Sequence, residues 1–190
     1  MSRDSIALQV SIEDITQGNF KDIPEPCKAC LYWENPALKD KQQSTTEKAN
    51  NTAEKAKWFL KTLKEFGNCG KIIYVDDKPA GYAQYSNASR LPNTQKYGAK
   101  KLGTAQEEVA FISCLYVSNE NFRGKGLGTR LLDEVILDLK NRGFNAVETF
   151  ARERSPNNPS GPIQLFLRKG FHVRERLETT PDFALVRLDL

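Results

Sequence analysis

A glycine-rich loop between a strand-like run and an amphipathic helix is the feature that most constrains the fold. Residues 109–117 are dense in β-forming side chains, which predicts a strand buried on both faces. The loop follows at residues 123–129, and Gly143 ends the helix that begins there. The helix is predicted from apolar side chains at helical spacing, which are Leu127, Leu131, Leu132, Val135, Ile136 and Leu139. A strand, a loop and a helix in this order predict part of a parallel sheet.

The composition of the loop favours an anion. Gly124, Gly126 and Gly128 alternate with larger residues, so several backbone N–H groups can turn toward one ligand. The N-terminus of the helix adds partial positive charge, while Arg123 and Lys125 add full charges. We therefore predict that the loop binds a pyrophosphate.

Other phosphate loops fit less well. A Walker A loop needs Ser or Thr after its lysine, whereas Gly126 follows Lys125. The dinucleotide fingerprint needs a third glycine where Thr129 stands, and it usually opens the first β-α unit of a chain. A nucleotide-binding protein with an unrelated phosphate loop remains an alternative, as does a structural turn with solvated charges.

The whole chain, residues 1–190, is predicted to form a single α/β domain. Its central mixed sheet has about seven strands flanked by helices. A long polar insertion occupies residues 87–107. Its lysines could attract an acidic acceptor or belong to a solvated loop whose motion gates access to a site. The predicted strands are residues 6–12, 71–75, 79–85, 109–117, 146–151, 171–177 and 183–190. The first predicted helix begins at a capping box at Ser44 and ends at Gly67, and the other two predicted helices are residues 126–142 and 162–169.

Composition narrows the classes of function. A formal net charge of +4 without a basic stripe argues against a nucleic-acid binder. The N-terminus lacks the apolar stretch of a signal peptide, and the longest apolar run is too short for a bilayer. We therefore expect a cytoplasmic protein with no membrane segment and with reduced thiols. His172 is the lone histidine, which limits histidine-based catalysis.

The loop and its surroundings resemble the GCN5-related N-acetyltransferase (GNAT) family. The motif Arg123-x-x-Gly126-x-Gly128 follows a strand that ends in Leu115-Tyr116-Val117. The hairpin around residues 78–82 and the Gly-Phe turn at residues 166–171 are similar to elements of that family. The resemblance implies a GNAT-like fold with acetyl-CoA as co-substrate. It also implies transfer of the acetyl group to a primary amine, by direct attack in a ternary complex; a small molecule or a peptide could be the acceptor.

The resemblance also implies where acetyl-CoA binds. The pyrophosphate would lie on the loop, and the pantetheine arm would pair with the backbone of the strand. The strands around the site would diverge, leaving a gap between residues 114–117 and 147–150. A backbone N–H near Tyr116 or Val117 would stabilise the oxyanion. The implied cofactor-binding residues are Leu115, Tyr116, Val117, Arg123, Gly124, Lys125, Gly126, Leu127, Gly128 and Thr129.

Catalytic groups are less well indicated. Many relatives carry a tyrosine as general acid in the last helix, where this chain has Phe166. Glu148, Glu108 and Tyr116 are the candidates for proton transfer, together with Tyr85. Phe166 is also compatible with a catalytically degenerate acyl-CoA-binding regulatory module.

Two further features border the predicted site. Cys27-x-x-Cys30 lacks a second ligand pair, so two ordinary thiols are favoured over a metal site. Tyr32 and Trp33 follow, and they could either line the acceptor pocket or form a hydrophobic plug over the sheet. The apolar closing strand at 183–190 could contribute to a homodimer.

Overall fold

The computed structural model describes residues 8–37, 45–118, 122–153 and 161–190. The first residues of the predicted first strand, the capping box at Ser44 and most of the loop before Gly161 lie outside the described residues. The strands are β1 (Val10–Asp14), β2 (Gly70–Val75), β3 (Lys78–Ser86), β4 (Val109–Val117), β5 (Ala146–Arg152), β6 (His172–Arg176) and β7 (Phe183–Asp189). The helices are α1 (Thr45–Phe66), α2 (Leu127–Asn141) and α3 (Ile163–Leu167).

The strands form one seven-stranded sheet, which confirms the predicted mixed α/β architecture. The strand order is β1-β2-β3-β4-β5-β7-β6. β4 and β5 run parallel, and the other neighbouring strands run antiparallel. The helix α2 connects the two parallel strands, as the strand-loop-helix pattern predicted.

β4 and β5 separate soon after they meet. Their parallel register covers only residues 109–111 against residues 146–148, although both strands continue further. Just beyond the last pair, the hydroxyl of Thr149 donates to the carbonyl oxygen of Ile112 at 2.8 Å. The strands therefore form a V whose open side lies beyond this hydrogen bond.

Each face of the sheet has its own core. Under α2, the buried side chains of Leu131, Leu132 and Val135 pack with β-strand residues such as Val147 and Val186. This is the helix face that the apolar spacing predicted. The opposite face is covered by α1, by the segment before it and by the insertion. Apolar side chains of these parts pack with the sheet in two further buried clusters.

The buried face of α1 is set by an aromatic side chain rather than by its alanines. Ala49, Ala53 and Leu60 are exposed. Phe59 is buried, since an aromatic side chain removes far more apolar surface from water than an alanine. α1 has 22 residues and many charges, and no helix in the described ranges is long and apolar enough to cross a membrane.

The first part of the insertion is packed on the sheet rather than solvated, whereas Lys96, Lys100 and Lys101 are exposed. Two short 3-10 segments, Ala88–Arg90 and Pro92–Tyr97, fold back over the sheet. The ring of Tyr97 stacks on Phe150 with 4.3 Å between centroids and on Trp33 with 5.5 Å. This part of the insertion therefore completes the hydrophobic core of that face.

Candidate active site

A cavity of about 940 Å³ occupies the open side of the V. It runs from the glycine loop, past the C-terminal end of β4, to the segment that precedes α1. At the loop end it is lined by Phe122, Arg123, Gly124, Gly126, Leu127, Gly128, Thr129, Gly161, Pro162, Leu165 and Arg168. At the other end, which we call the acceptor half, it is lined by Pro26, Cys27, Cys30, Tyr32, Trp33, Lys55, Tyr82 and Gln84.

The glycine loop leaves space for a ligand against its backbone. Gly124 and Gly126 have φ values of 75° and 80°, a left-handed conformation that side chains with a Cβ rarely adopt. A Cβ built at Gly124, Gly126 or Gly128 would meet no atom within 4 Å. Gly126 is the N-cap of α2, so the unpaired N–H groups of the first helical turn begin at this open surface. The loop therefore fits a phosphate group.

The two charged residues of the loop are placed differently. Arg123 lines the cavity. Lys125 is not among the lining residues of the described chain, and its Nζ lies 6.0 Å from the ring centroid of Phe122. The two cations that appeared equivalent in the sequence therefore differ in their access to a ligand.

The end of β4 forms the wall between the two halves of the cavity. Leu115, Tyr116 and Val117 all line it, together with Cys114. β3 pairs with this stretch on one side, whereas the ladder to β5 ends at Phe111. The backbone edge of these residues thus borders the gap, where the resemblance placed the pantetheine arm.

A β-bulge brings Cys114 to the acceptor half. Gln84 lies opposite Cys114, but the next residue, Tyr85, lies opposite Ile112, so Ser113 is an extra residue in β4. The bulge changes the alternation of side chains, and Cys114 joins the buried cluster under α1 while Ile112 packs under α2. Regular alternation would have put both on one face.

Glu148 lies outside the cavity, which corrects the expectation that it faces the gap. It belongs to the last β4–β5 pair, on the closed side of the V. Its carboxylate is fully buried and binds Arg174 at 3.0 Å, Arg187 at 3.3 Å and the backbone N–H of Gly103 at 2.7 Å. These contacts give Glu148 a structural role in joining β5 to β6, β7 and the insertion.

The other predicted acid-base groups divide between the cavity and distant positions. Glu108 is exposed at the N-terminal end of β4, far along the strand from the cavity, with a φ of 54°. Tyr85 donates to Asp138 of α2 at 2.9 Å, and burial raises its pKa. Tyr116 is half-buried and lines the cavity. Of the predicted candidates, Tyr116 alone is therefore placed beside the open side of the V.

Phe166 belongs to the core. Its side chain is fully buried, and its ring packs edge-on against Phe171 at 5.2 Å between centroids. Leu165 and Arg168 of the same segment line the cavity instead. In many relatives this position carries the general acid; here it is an apolar side chain that points into the core.

Three thiols border the acceptor half. Cys27 Sγ lies 3.8 Å from Cys114 Sγ, and Cys30 also lines the cavity. The contact with Cys27 and burial raise the pKa of the Cys114 thiol well above its usual value, and burial raises that of Cys30. A protonated thiol is a poor nucleophile, so Cys114 and Cys30 are weakly reactive at neutral pH. In the described ranges no group of three His, Cys, Asp or Glu residues is arranged to hold a metal ion.

The aromatic residues before α1 border the cavity, and Trp33 also belongs to the buried cluster over the sheet. Tyr32 and Trp33 both line the acceptor half, and their rings meet edge-on at 5.1 Å between centroids. The hydroxyl of Tyr32 lies 3.1 Å from that of Tyr97, which joins this wall to the insertion. The acceptor half therefore has a fixed aromatic side.

The acceptor half also contains a polar network that the sequence analysis missed. Lys55 Nζ and Gln84 Nε2 both donate to Glu34 Oε1 at 2.6 Å. The Tyr82 hydroxyl, whose pKa burial raises well above its usual value, donates to Gln84 Oε1 at 2.8 Å. Lys55 offered a signal, since it lies one helical turn before Phe59 on the buried face of α1. A buried lysine requires a partner, and that partner is Glu34.

Two proteins are similar to this chain in sequence. An uncharacterised N-acetyltransferase of Methanocaldococcus jannaschii is 29% identical over 121 residues, which is 63% of this chain and 46% of that protein. The N-alpha-acetyltransferase of Saccharolobus solfataricus is 29% identical over 120 residues, 60% of this chain and 62% of that protein. The chain thus spans roughly half to three fifths of the length of these two relatives.

A solved structure of similar fold comes from Salmonella typhimurium. It is a putative acetyltransferase with its cofactor acetyl-CoA, 16% identical, with a TM-score of 0.64, and the match covers 95% of this chain and 94% of that one. At this identity the match establishes the fold. The model of the Acetyltransferase (GNAT) family matches residues 30–171, roughly three quarters of the sequence. The chain belongs to the GNAT family of acetyltransferases.

Proposed function

We propose that this protein transfers the acetyl group of acetyl-CoA to a primary amine. The observation that carries this proposal is that one cavity joins the glycine loop, the end of β4 beyond its ladder with β5, and the acceptor half. Two substrates can therefore approach one another at the open side of the V. Membership of the GNAT family and the acetyl-CoA complex of the Salmonella neighbour support the choice of acetyl-CoA.

The proposed binding mode uses the geometry of the loop and of β4. The N–H groups of the first turn of α2, with Gly124, Gly126 and Gly128, hold the pyrophosphate, and Arg123 adds charge. Leu115, Tyr116 and Val117 bind the pantetheine amides along their free edge. Leu127 and Thr129 complete the wall. Lys125 then contributes to the local positive potential rather than to direct contact.

The proposed reaction is a direct acyl transfer. The neutral amine attacks the thioester carbonyl, the C–S bond breaks, and the products are an amide and the thiol of CoA. A backbone N–H near Tyr116 or Val117 stabilises the negative charge that develops on the carbonyl oxygen. Tyr116 exchanges the proton in this proposal; it lines the cavity, whereas Glu148 is fully buried and Glu108 lies at the other end of β4.

The acceptor is a small molecule or a peptide that carries a primary amine. The relative from Saccharolobus is named as an N-alpha-acetyltransferase, which makes a peptide amino terminus one class to test. The competing hypothesis is a regulatory module that binds acyl-CoA without turnover. The formed acceptor half favours the enzyme, because a module that only binds CoA needs no second substrate cavity.

Thermal stability with ligands tests the cofactor assignment. We expect acetyl-CoA and CoA to raise the melting temperature while ATP and NAD do not, because a ligand at 100 times its Kd adds about 2.7 kcal/mol. Release of the CoA thiol in the presence of a panel of amines then tests turnover. A larger shift with ATP or NAD would overturn the assignment of the loop. A shift with acetyl-CoA, but no thiol release with any amine, would favour the regulatory module.

A further inference from the structure

The two ends of the cavity differ in charge. Arg123 and Arg168 line the loop end, where the proposed cofactor phosphates bind. Among the described residues that line the acceptor half, Lys55 is the one that carries a charge. Its ammonium lies 2.6 Å from the carboxylate of Glu34, and both side chains are only 4% exposed. The acceptor half therefore has no net charge, although a lysine forms part of its wall.

The polar groups of the acceptor half already bind one another. Gln84 Nε2 donates to Glu34 Oε1 at 2.6 Å, and the Tyr82 hydroxyl donates to Gln84 Oε1 at 2.8 Å. The Tyr32 hydroxyl lies 3.1 Å from that of Tyr97. An amide and hydroxyls that are committed in this way have little capacity to solvate a further charge. A charged group buried against this wall would lose its hydration without gaining a partner, which is costly.

The ammonium of Lys55 does not change this conclusion. Its charge is offset at contact distance by Glu34, so a second carboxylate placed there would be repelled by the first. The lysines of the insertion do not supply a site for an acidic acceptor either, because Lys96, Lys100 and Lys101 are not among the described residues that line the cavity.

What remains of the acceptor half is apolar surface that a ligand can reach. The rings of Tyr32 and Trp33 meet edge-on at 5.1 Å between centroids, and the thiols of Cys27 and Cys30 lie on the same wall. Pro26 is exposed, and Cys30 and Tyr32 are half-buried, so this end of the cavity is accessible from solvent. Aromatic rings and thiols bind apolar groups through the surface that they remove from water.

We propose that the acceptor half selects amines whose body is uncharged and apolar or aromatic, and that it rejects amines that place a charged group there. This inference rests on the proposed function, because it assigns the acceptor to this half of the cavity. Glu34 acts in specificity and not in the chemistry, since it neutralises Lys55 and so prevents this lysine from holding an acidic acceptor.

Matched acceptors test this selectivity in steady-state acetylation. Phenethylamine is compared with 4-(2-aminoethyl)benzoate, which adds a carboxylate to the ring, and with the derivative that carries a trimethylammonium group at the same position. Two short peptides that begin with phenylalanine or with glutamate form a second set, and acetylation in one set only would identify the source of the acceptor. Wild type is expected to use the uncharged member at least about tenfold better in kcat/KM, mainly through KM, because the added charge has no partner.

Glu34→Gln should change this preference in one direction. The substitution keeps the shape of the side chain and removes the charge that offsets Lys55. The KM for the benzoate should then fall about tenfold relative to that for phenethylamine, while the trimethylammonium derivative gains nothing. A purely structural role of Glu34 would instead weaken all three acceptors alike.

Glu54→Gln is the matched control for that variant. It removes the carboxylate partner of another lysine in the same helix, Lys57, and changes the net charge equally, but both side chains are exposed at the surface. Its acceptor preference should equal that of wild type. If Glu34→Gln does not fold, the comparison of acceptors on wild type still decides.

The results also distinguish the two proposals. Equal use of charged and uncharged acceptors by wild type, or an unchanged preference in folded Glu34→Gln, would overturn the inference. If no amine is acetylated, the proposed transfer is lost, and calorimetry with CoA present still compares 2-phenylethanol with 4-(2-hydroxyethyl)benzoate. Tighter binding of the uncharged ligand would then keep the inference, and equal binding would overturn it.

Discussion

Thr149 of β5 donates its hydroxyl hydrogen bond to the carbonyl oxygen of Ile112 in β4 at 2.8 Å. The two residues follow the last regular pair of the parallel ladder, Phe111 with Glu148. A side chain thus takes the place of the next backbone hydrogen bond. Because the carbonyl of Ile112 is buried, this contact fixes where the strands separate and hence where the cavity begins.

Thr149→Val should let β4 and β5 move apart at the closed end of the V. The substitution keeps the volume but leaves a buried carbonyl unpaired, so we expect a loss of about 1–3 kcal/mol in the free energy of unfolding. The shifted strands should also weaken acetyl-CoA binding. Urea unfolding and calorimetry would measure the two effects.

Thr94→Val is a control for that variant. Thr94 is also buried, and its hydroxyl donates to the carbonyl oxygen of Leu91 at 2.8 Å, in the insertion. That carbonyl also accepts the backbone N–H of Thr94 at 2.9 Å, so we expect a smaller loss of stability, with unchanged acetyl-CoA affinity. Equal weakening of affinity in both variants would show that general destabilisation, rather than the apex, controls binding.

Two alanine substitutions in the glycine loop should have opposite effects on stability. Gly126 has a φ of 80°, so Gly126→Ala forces a side chain into the left-handed region and should cost about 1 kcal/mol. Gly128 lies within α2, where alanine is favoured over glycine by up to about 1 kcal/mol, so Gly128→Ala should be neutral or stabilising.

Both of these variants should nevertheless bind acetyl-CoA less tightly. The Cβ that each adds enters space that is open within 4 Å, where the proposed pyrophosphate approaches the backbone. Thermal unfolding without ligand and titration with acetyl-CoA would separate the two effects. Unchanged affinity in Gly128→Ala would argue that the pyrophosphate does not contact this part of the loop.

The two loop cations should contribute unequally to cofactor affinity. Arg123 lines the cavity, whereas Lys125 does not, so Arg123→Gln should raise the Kd for acetyl-CoA about tenfold and Lys125→Gln by less. The Lys125→Gln effect should fade as salt is added, because it acts at a distance. Calorimetry at low and high ionic strength is the measurement, and equal effects would contradict the placement of Lys125.

Much of the sheet and the open backbone of the glycine loop could be predicted because the signals are local. The run at residues 109–117 and the spacing of leucines in α2 each report on a single element, and the structure has both as predicted. The glycines at 126 and 128 indicated close approach of a ligand, and the backbone there is open. Local sequence patterns were sufficient for features that depend on a single strand, helix or loop.

The acceptor half depended on contacts that no local pattern contains. The bulge at Ser113 decides which face Cys114 takes, and it arises from the register between two strands. Glu148 alternates correctly for a residue facing the gap, but the strands are still paired at its position. Glu34 and Lys55 are 21 residues apart and meet only in the fold. Glu148 and Glu34 thus lie in different environments, although nothing in the local sequence distinguishes them.

The buried thiol of Cys69 should make the free energy of unfolding decrease as the pH rises in the alkaline range. Burial raises the pKa of Cys69 to about 12, whereas the same thiol in an unfolded chain has a pKa of about 8.5. The folded state therefore retains a proton that the unfolded state loses. The contribution of Cys69 to stability is fully present below pH of about 8.5, and it is lost as the pH rises toward 12.

Cys69→Ala should remove this part of the pH dependence. One proton retained on folding changes the free energy of unfolding by about 1.4 kcal/mol per pH unit, so wild type should lose stability more steeply than the variant above pH of about 9. Urea unfolding between pH 7 and pH 10.5 would compare the slopes. The other buried acids, Tyr82, Tyr85 and Cys114, also have raised pKa values, so the variant should keep some alkaline sensitivity. Parallel curves would show that Cys69 is ionised as easily in the folded as in the unfolded chain, and its place in the sealed core under α1 would then be wrong.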